Sequence, residues 1–396
     1  MLGWELPPHN SGGLGVACLE LCKSLAGSGA DIDFILPYRA HANTYSFINI
    51  VSALPQYSAP DLQQSAYTSH LLLNTAPLAR RGNQETDEYT AAASKIASRR
   101  EFDIIHAHDW LTFRAALRVK EDSGKPLIVH VHSIERDRAG GAPGNPMVRE
   151  IEATGMMLAD RVIAVSERTR QMIAQEYSIP LSKIDVIHNS IDPESLEPLD
   201  AANVYTYLVA MKILGWRVVV NVGRLTIQKG LPGLITAAAD VIKRAPKTLF
   251  LFVGSGEQKE ELIMQAAALG IGDNVIFVGF QRGKKLRDAF AVGDLFVLPS
   301  VSEPFGLTPL EAIGYGTPVL ISRQSGVSEV LDNCLKVDFW DTAEMANKIT
   351  AVVMNDNLRD EMLRNSEKEY QNLSWGASAQ KLINIYHRHL AEPVYS

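Results

Sequence analysis

Cysteine is scarce in this chain: three residues in 396, Cys18, Cys22 and Cys334. That excludes a disulfide-built scaffold and fits a reducing compartment. Cys18 and Cys22 stand four apart in a segment of helical period and read as packing residues rather than metal ligands. Long apolar runs are missing too, so no segment reads as a membrane span. The first residues carry neither the basic start nor the apolar stretch of a secretory signal, and a soluble, cytoplasmic enzyme is expected. Excess positive charge is absent. The formal net charge is −7, which excludes a general nucleic-acid footprint and leaves room only for a local basic pocket that takes a small anion. There is no internal repeat and no low-complexity tract. The glycine-rich segment near the start, GGLG, lacks the GxGxxG spacing, and no GKS or GKT follows it, so neither nucleotide fingerprint applies.

What is present is an ordinary globular composition, 46% hydrophobic and 21% charged, over a length that suits two domains better than one core. Short β-branched runs alternate with helical stretches, the pattern of βαβ units. The first half offers 31–36 (DIDFIL), 103–108 (DIIHAH), 127–132 (LIVHVH), 161–166 (RVIAVS) and 184–188 (IDVIH). The second offers 217–222 (RVVVNV), 248–253 (TLFLFV), 274–278 (NVIFV), 294–299 (DLFVLP) and 318–321 (PVLI). Between the halves, 188–200 (HNSIDPESLEPLD) holds two prolines, four acids and no apolar period. The boundary belongs there. The expected division is 1–195 for an N-terminal Rossmann-like domain and 196–376 for a C-terminal one. A helix over 377–396 packs back on the first domain. Residues 41–98 show no clear period and read as an extended or inserted region. MLGWEL leaves only about six residues for a first strand, so that strand is short or a few residues have been lost before it.

Ligands bind beyond the carboxyl ends of parallel strands, and the unusual polar residues gather at those positions. Gly12, Gly13 and Gly15 open a helical run, where bare backbone N–H groups can approach an anion; a tight turn with no ligand explains them as well. Arg224 and Lys229 follow RVVVNV in the segment NVGRLTIQKG. A guanidinium fork and a lysine point charge suit the two phosphates of one diphosphate, where two solvated surface cations are the plain alternative. Glu303 and Glu311 lie eight apart in SEPFGLTPLEA. Thr308-Pro309-Leu310-Glu311 reads as a capping box, which explains Glu311 structurally, whereas Glu303 has no such explanation. His106/His108 and His130/His132 are two HxH pairs, with Asp109 beside the first. Alternate residues share a strand face, so a zinc cluster and a metal-dependent hydrolase are a rival reading. It leaves Arg224, Lys229 and the second half without a task. Cleft-lining for one or two histidines and packing for the rest is the preferred account. Asp31-Ile32-Asp33 looks like a metal-binding DxD but begins a buried strand.

These residues resemble the family-4 retaining glycosyltransferases of GT-B fold, and within them the glycogen and starch synthase branch. NSGGLG resembles the family's glycine loop and IHAHDW its HAHDW segment. VHVHS falls where the family places its active-site histidine. NVGRLTIQKG is similar to its GR…KG diphosphate clamp, and SEPFGLTPLEA to its E-x7-E segment. The resemblance implies two Rossmann-like α/β domains with parallel sheets facing a central cleft. It implies catalytic roles for His132 and Glu303. For donor binding it implies Gly13, Arg224, Lys229, Gly279, Phe280, Phe305, Gly306, Leu307, Thr308 and Glu311, the last on the ribose. His108 and Asp109 fall on the acceptor side. It further implies retention at the anomeric carbon, no metal and no cofactor, a nucleoside-diphosphate hexose donor (UDP- or ADP-glucose), and a carbohydrate or other hydroxyl acceptor such as a glucan. A nucleotide-sugar epimerase of the same fold and a non-catalytic sugar-nucleotide binder are the remaining alternatives. One difference is local: glycogen synthases carry a lysine just before the GGLG loop, where this chain has His9-Asn10-Ser11.

Overall fold

The computed structural model describes residues 1–8, 12–41, 44–59, 76–200 and 202–391, the side chains of 76–83 and 391 aside. His9, Asn10 and Ser11 therefore lie outside the described residues, as does much of the 41–98 stretch. The chain forms two compact units, Met1–Ser190 with Trp375–Ser396, and Ile191–Ser374.

In the first unit, the strands are β1 (Asp33–Leu36), β2 (Asn49–Ser52), β3 (Ile105–His108), β4 (Leu127–Val131), β5 (Arg161–Ala164) and β6 (Ile184–Val186). All pairings are parallel: β1 with β2, and β3-β4-β5-β6 in succession. Leu2 joins the two groups through parallel bridges to Ile35 and Ala107. Its N–H donates to the His106 carbonyl (2.8 Å), and its own carbonyl accepts from the His108 N–H (3.0 Å). A single turnless stretch of the first residues thus serves as the central strand. The chain order across the sheet reverses there, as in a doubly wound fold. β3 and β4 are buried at every residue, which is why they read as continuous runs without alternation. The helix Trp375–Ala391 belongs to this unit. It buries Trp375, Ala379, Leu382 and Ile385, and Ser378 Oγ donates to the His188 carbonyl at 2.8 Å.

In the second unit, the strands are β7 (Arg217–Val222), β8 (Thr248–Val253), β9 (Val275–Gly279), β10 (Leu295–Leu298), β11 (Val319–Ser322) and β12 (Leu335–Val337). They form one parallel sheet in the order β12-β11-β10-β7-β8-β9. This is the dinucleotide-fold order, and it puts the reversal of strand order between β7 and β10. Val219, Phe250, Phe252, Leu295, Val297 and Leu320 pack with the apolar face of the helix Leu231–Arg244 in one buried cluster. Asn221, the polar interruption in RVVVNV, is buried and donates through Nδ2 to the Val297 carbonyl at 2.9 Å, locking β7 to β10.

Both units are α/β with parallel sheets, as the alternation of runs predicts. Three local readings differ from the structure. Strands β2 and β12 escaped sequence detection because they are edge strands of four and three residues, too short to show a period. Residues 76–97, read as extended or inserted, form a 22-residue helix. It is largely polar, and among the described side chains it buries Glu85 and Thr86 as well as Tyr89 and Ala93. The capping box at Thr308 does not form. Leu307 is already helical (φ −77°, ψ −31°) and is the N-cap of the helix Thr308–Gly314, so Thr308 sits inside the first turn with no extended backbone to cap from.

Candidate active site

The reversal between β7 and β10 is where an open sheet of this order leaves a crevice. The two segments that leave those strands, 223–230 and 299–303, meet there. After β7 the chain runs through Gly223 and an exposed Arg224, makes a single 3-10 turn Ile227–Lys229, and enters the helix Leu231–Arg244. Gly230 makes the change of direction possible. Its φ is +64°, and a Cβ there would lie 2.1 Å from the Pro299 carbonyl oxygen. Gly254, at the end of β8, is equally confined: φ is +149° and a Cβ would lie 1.8 Å from the Gly223 carbonyl oxygen.

Gln228 holds the two segments together. Its Nε2 donates to the Ser302 carbonyl (3.0 Å), its carbonyl accepts from the Val301 N–H (2.9 Å), and its Oε1 accepts from Arg224 Nη2 (3.3 Å). The Lys229 ammonium pairs with the Glu303 carboxylate, which also accepts from Ser300 Oγ at 3.1 Å. Glu303 is buried and its backbone is clamped on both sides. Its N–H donates to the Gln324 carbonyl (3.0 Å), and its carbonyl accepts from Gly326 (2.9 Å). Arg224 and Lys229, predicted as a pair, and Glu303, predicted apart from them, are therefore one constellation. Gln228 and Ser300 complete it. Sequence reading gave neither a role, although Ser300 was visible as a polar residue at a strand end and Gln228 as one between the two predicted cations.

Glu311 is half-buried, one turn into the helix Thr308–Gly314, and burial pushes its carboxyl up to about 7. Gly306 takes φ +96° beside Glu303, and the Phe305 carbonyl accepts from Val327 N–H at 2.8 Å. Gly279 and Phe280 stand at the end of β9, two strands from β7. Phe280 is 56% exposed, with the Arg282 guanidinium 5.0 Å from its ring centre. An exposed phenylalanine at a strand end offers a flat stacking face.

In the first unit, the helix Gly13–Gly27 starts from Gly12 with no side-chain cap, and a Cβ on Gly13 would meet nothing within 4 Å. Among the described residues, packing does not require glycine at that position. Asp109 follows β3 in a left-handed backbone (φ 58°) and is buried. Its Oδ1 accepts from the N–H of His132 (2.6 Å) and of Ser133 (3.3 Å), which fixes the residues leaving β4. His108 Nδ1 and His132 Nε2 are 3.1 Å apart. Burial pushes His132 down to about 3, and it stays neutral at physiological pH.

A buried ion network supports this loop, and sequence reading missed it. Arg138 donates to Glu135 Oε2 (3.1 Å), to Glu152, and to Ser133 Oγ (2.8 Å) and its carbonyl (3.1 Å). Tyr177 donates to Glu152 as well. The available signal was Glu152 itself, on the apolar face of the helix Pro146–Leu158 that also buries Val148 and Ile151.

Burial raises the Asp109 carboxyl from 3.8 to about 7, against the pull of Arg138 and the two N–H donors. A carboxyl raised in the fold is protonated more readily folded than unfolded. Its contribution is complete below about pH 4 and is lost as pH rises toward 7. Asp109→Asn keeps the Oδ1 acceptor and removes the ionisation. The variant is expected to gain on the wild type by about 1.4 kcal/mol for each pH unit crossed between 4 and 7. Urea unfolding at pH 5 and pH 8 measures this, and a stability gap that does not change with pH contradicts it.

The fold and the site define a glycosyltransferase of the two-Rossmann, GT-B type. Residues 11–195 match the model of the glycosyltransferase family 4 domain, and residues 212–369 match that of the glycosyl transferases group 1. The chain is a glycosyltransferase built of these two domains, which together span most of its length. An uncharacterized glycosyltransferase of Methanocaldococcus jannaschii is 27% identical over 98% of this chain and 97% of its own. A glycogen synthase of Mycobacterium tuberculosis is 27% identical over 84% and 80%. Among solved structures, Anabaena HepE in complex with UDP-glucose superposes with a TM-score of 0.71 at 20% identity, covering 98% of both chains. The comparisons lend no support to an epimerase or a hydrolase. Among the described residues, no helix is long and apolar enough to cross a membrane.

Proposed function

We propose that the protein transfers a glucosyl group, with retention, from UDP- or ADP-glucose to a hydroxyl of a carbohydrate acceptor, in the cytoplasm and without a catalytic metal or cofactor. The observation that carries the reading is the assembly of Arg224, Lys229 and Glu303 at the strand-order reversal of the second unit. Two cations there suit a diphosphate. The glycogen synthase among the relatives and the UDP-glucose held by HepE support the donor class.

In this reading Arg224 and Lys229 bind the diphosphate, and Lys229 exchanges part of its bond to Glu303 for a phosphate oxygen. Glu303 lies beside the sugar. Glu311 binds the ribose, and the Phe305–Thr308 backbone, with Gly306 and Leu307 between, serves the sugar and phosphate. Phe280 and Gly279 receive the base. Gly13 and His132 of the first unit serve the phosphate and the sugar, and His108 and Asp109 the acceptor. The acceptor oxygen bonds to the anomeric carbon on the face that the phosphate leaves. The electron pair of the breaking C–O bond goes to the diphosphate, and the acceptor proton passes to it. The charge that builds on the leaving group is what Arg224 and Lys229 stabilise.

Thermal shift and calorimetry with UDP, ADP and GDP and their glucose and mannose forms, with and without chelator, test the donor. One glucose nucleotide is expected to stabilise the fold selectively, by about 2.7 kcal/mol at a hundredfold excess over Kd, and equally in chelator. A response to none of them, or one abolished by chelator, rejects the reading. The anomeric proton coupling of the product reports retention.

A further inference from the structure

His106, His108, His130 and His132 stack on one face of β3 and β4, an arrangement the glycosyl-transfer reading does not use in full. Neighbouring ring centres lie 4.4–5.5 Å apart. The register explains the gathering. His108 pairs with His130 across parallel strands, and the i, i+2 partners share their face. His106, His108 and His130 are no more than 1% exposed. Of the eight ring nitrogens, only three have a hydrogen-bond partner among the described residues: His106 Nδ1 with Tyr386 Oη, and His108 Nδ1 with His132 Nε2. The other five, including both on His130, are buried with none. A buried polar group left without a partner is costly, because its desolvation is not repaid. Four such rings in one core therefore call for an explanation that apolar packing does not supply.

We propose that His106, His108 and His130 form a buried three-nitrogen site for one transition-metal ion of the zinc class, with Tyr386 and His132 orienting two of the ligands. One ring nitrogen from each of the three lies within 4.8 Å of the others. Two histidines spaced i, i+2 on a strand and a third directly across on its neighbour place three imidazoles around one point, and imidazole nitrogen is a preferred zinc ligand. The existing hydrogen bonds allow the tautomers that ligation needs, in one of their two directions. With the Nδ1 proton of His106 donated to Tyr386, and that of His108 to His132, both keep the lone pair on the unpartnered Nε2. A hydrogen bond from the non-ligating nitrogen is the usual outer-shell support of a metal-bound histidine. Ligation asks the stacked rings to turn about Cβ–Cγ. His130, bonded at neither nitrogen, is unrestrained by hydrogen bonds in doing so. The overlapping set Cys18, His108 and His132 also comes within 4.8 Å. It is the poorer one, because burial raises the Cys18 thiol far above its usual range and the His108–His132 bond already occupies nitrogens of both. The fourth position is left to water or hydroxide. The site is structural: an ion there ties β3, β4 and, through Tyr386, the helix Trp375–Ala391 together; His108 is then held by the ion, and the acceptor-side role of the proposed function falls to Asp109.

The test uses full-length, tag-free protein, stripped with chelator and dialysed. It is titrated with Zn2+ by calorimetry and with Co2+ by visible absorption, with transfer activity not read at all. One ion per chain is expected, with the intense d–d bands of four-coordinate cobalt and a raised Tm. X-ray absorption of the zinc form is expected to count three imidazoles. His106→Gln and His130→Phe are each expected to lose the cobalt bands while the far-ultraviolet circular dichroism stays. His130→Phe has a second use: without a metal site it removes two unpartnered polar atoms and raises the Tm of the stripped protein and of the protein as isolated alike. No stoichiometric uptake by the folded wild type, uptake that survives both substitutions, or fewer than two imidazoles in the absorption spectrum overturns the proposal. If a variant does not fold, the wild-type stoichiometry and absorption spectrum decide alone.

Discussion

Replacing Arg224 or Lys229 by alanine is expected to lower kcat for glycosyl transfer by about 10²–10³, the effect of removing one preorganised group that meets charge developing in the transition state. The two variants are expected to differ in stability. Arg224 is exposed, and among the described residues its guanidinium bonds through one 3.3 Å contact to Gln228, so Arg224→Ala falls within about 0.5 kcal/mol of the wild type. Lys229 is the cation beside a buried Glu303, and Lys229→Ala leaves that carboxylate without its counter-charge. Adding Glu303→Gln to Lys229→Ala removes the stranded charge. The pair is expected to recover stability and to remain inactive. Steady-state kinetics with the donor found in the nucleotide panel, beside urea unfolding, separates the two effects. Rates within a few-fold of wild type for both single variants would falsify the diphosphate assignment.

Arg138→Met is expected to cost about 3–5 kcal/mol of stability, the penalty for breaking a buried ion pair from one side. Glu135 and Glu152 are 0% and 2% exposed at their side chains, so neither finds water when the guanidinium is gone. Acid is expected to return part of the loss, because protonating the two carboxyls removes the unpaired charge. Methionine at 138 with glutamine at 135 and 152 is expected to recover most of it at neutral pH. Thermal unfolding at pH 5 and pH 8 reads all of this. A loss under 1 kcal/mol at pH 8 shows that the network is replaceable by solvent and is not what holds residues 133–145.

Much of the fold was legible because parallel strands buried on both faces leave little freedom in composition. RVVVNV and TLFLFV were bounded correctly from the sequence, β3 lost Asp103 and Ile104 from its start, and β10 lost Asp294 and Pro299 from its ends. The two strands that went unread lie at sheet edges, where three or four residues carry no period. The helix 76–97 went unread because its polar composition hides the side it buries. At the site, the residue types at strand ends could be seen in advance, whereas their partners could not. Glu303 was conspicuous for having no capping role, yet its pairing with Lys229 spans 74 positions. Arg138 and Glu152 sit 14 apart on different helices, beyond any local pattern.

The sequence by itself determined the class of fold, the strands of both cores and which polar residues stand where strands end. Those follow from local periodicity and from the cost of burying polar groups, which act over a few residues. Only the tertiary structure decided that β7 and β10 are neighbours, that His108 faces His130, and that residue 2 closes the first sheet. Strand order and register are set by the packing of whole layers over distances in the chain that no local pattern spans. It is this order that turns scattered cations, carboxylates and imidazoles into sites.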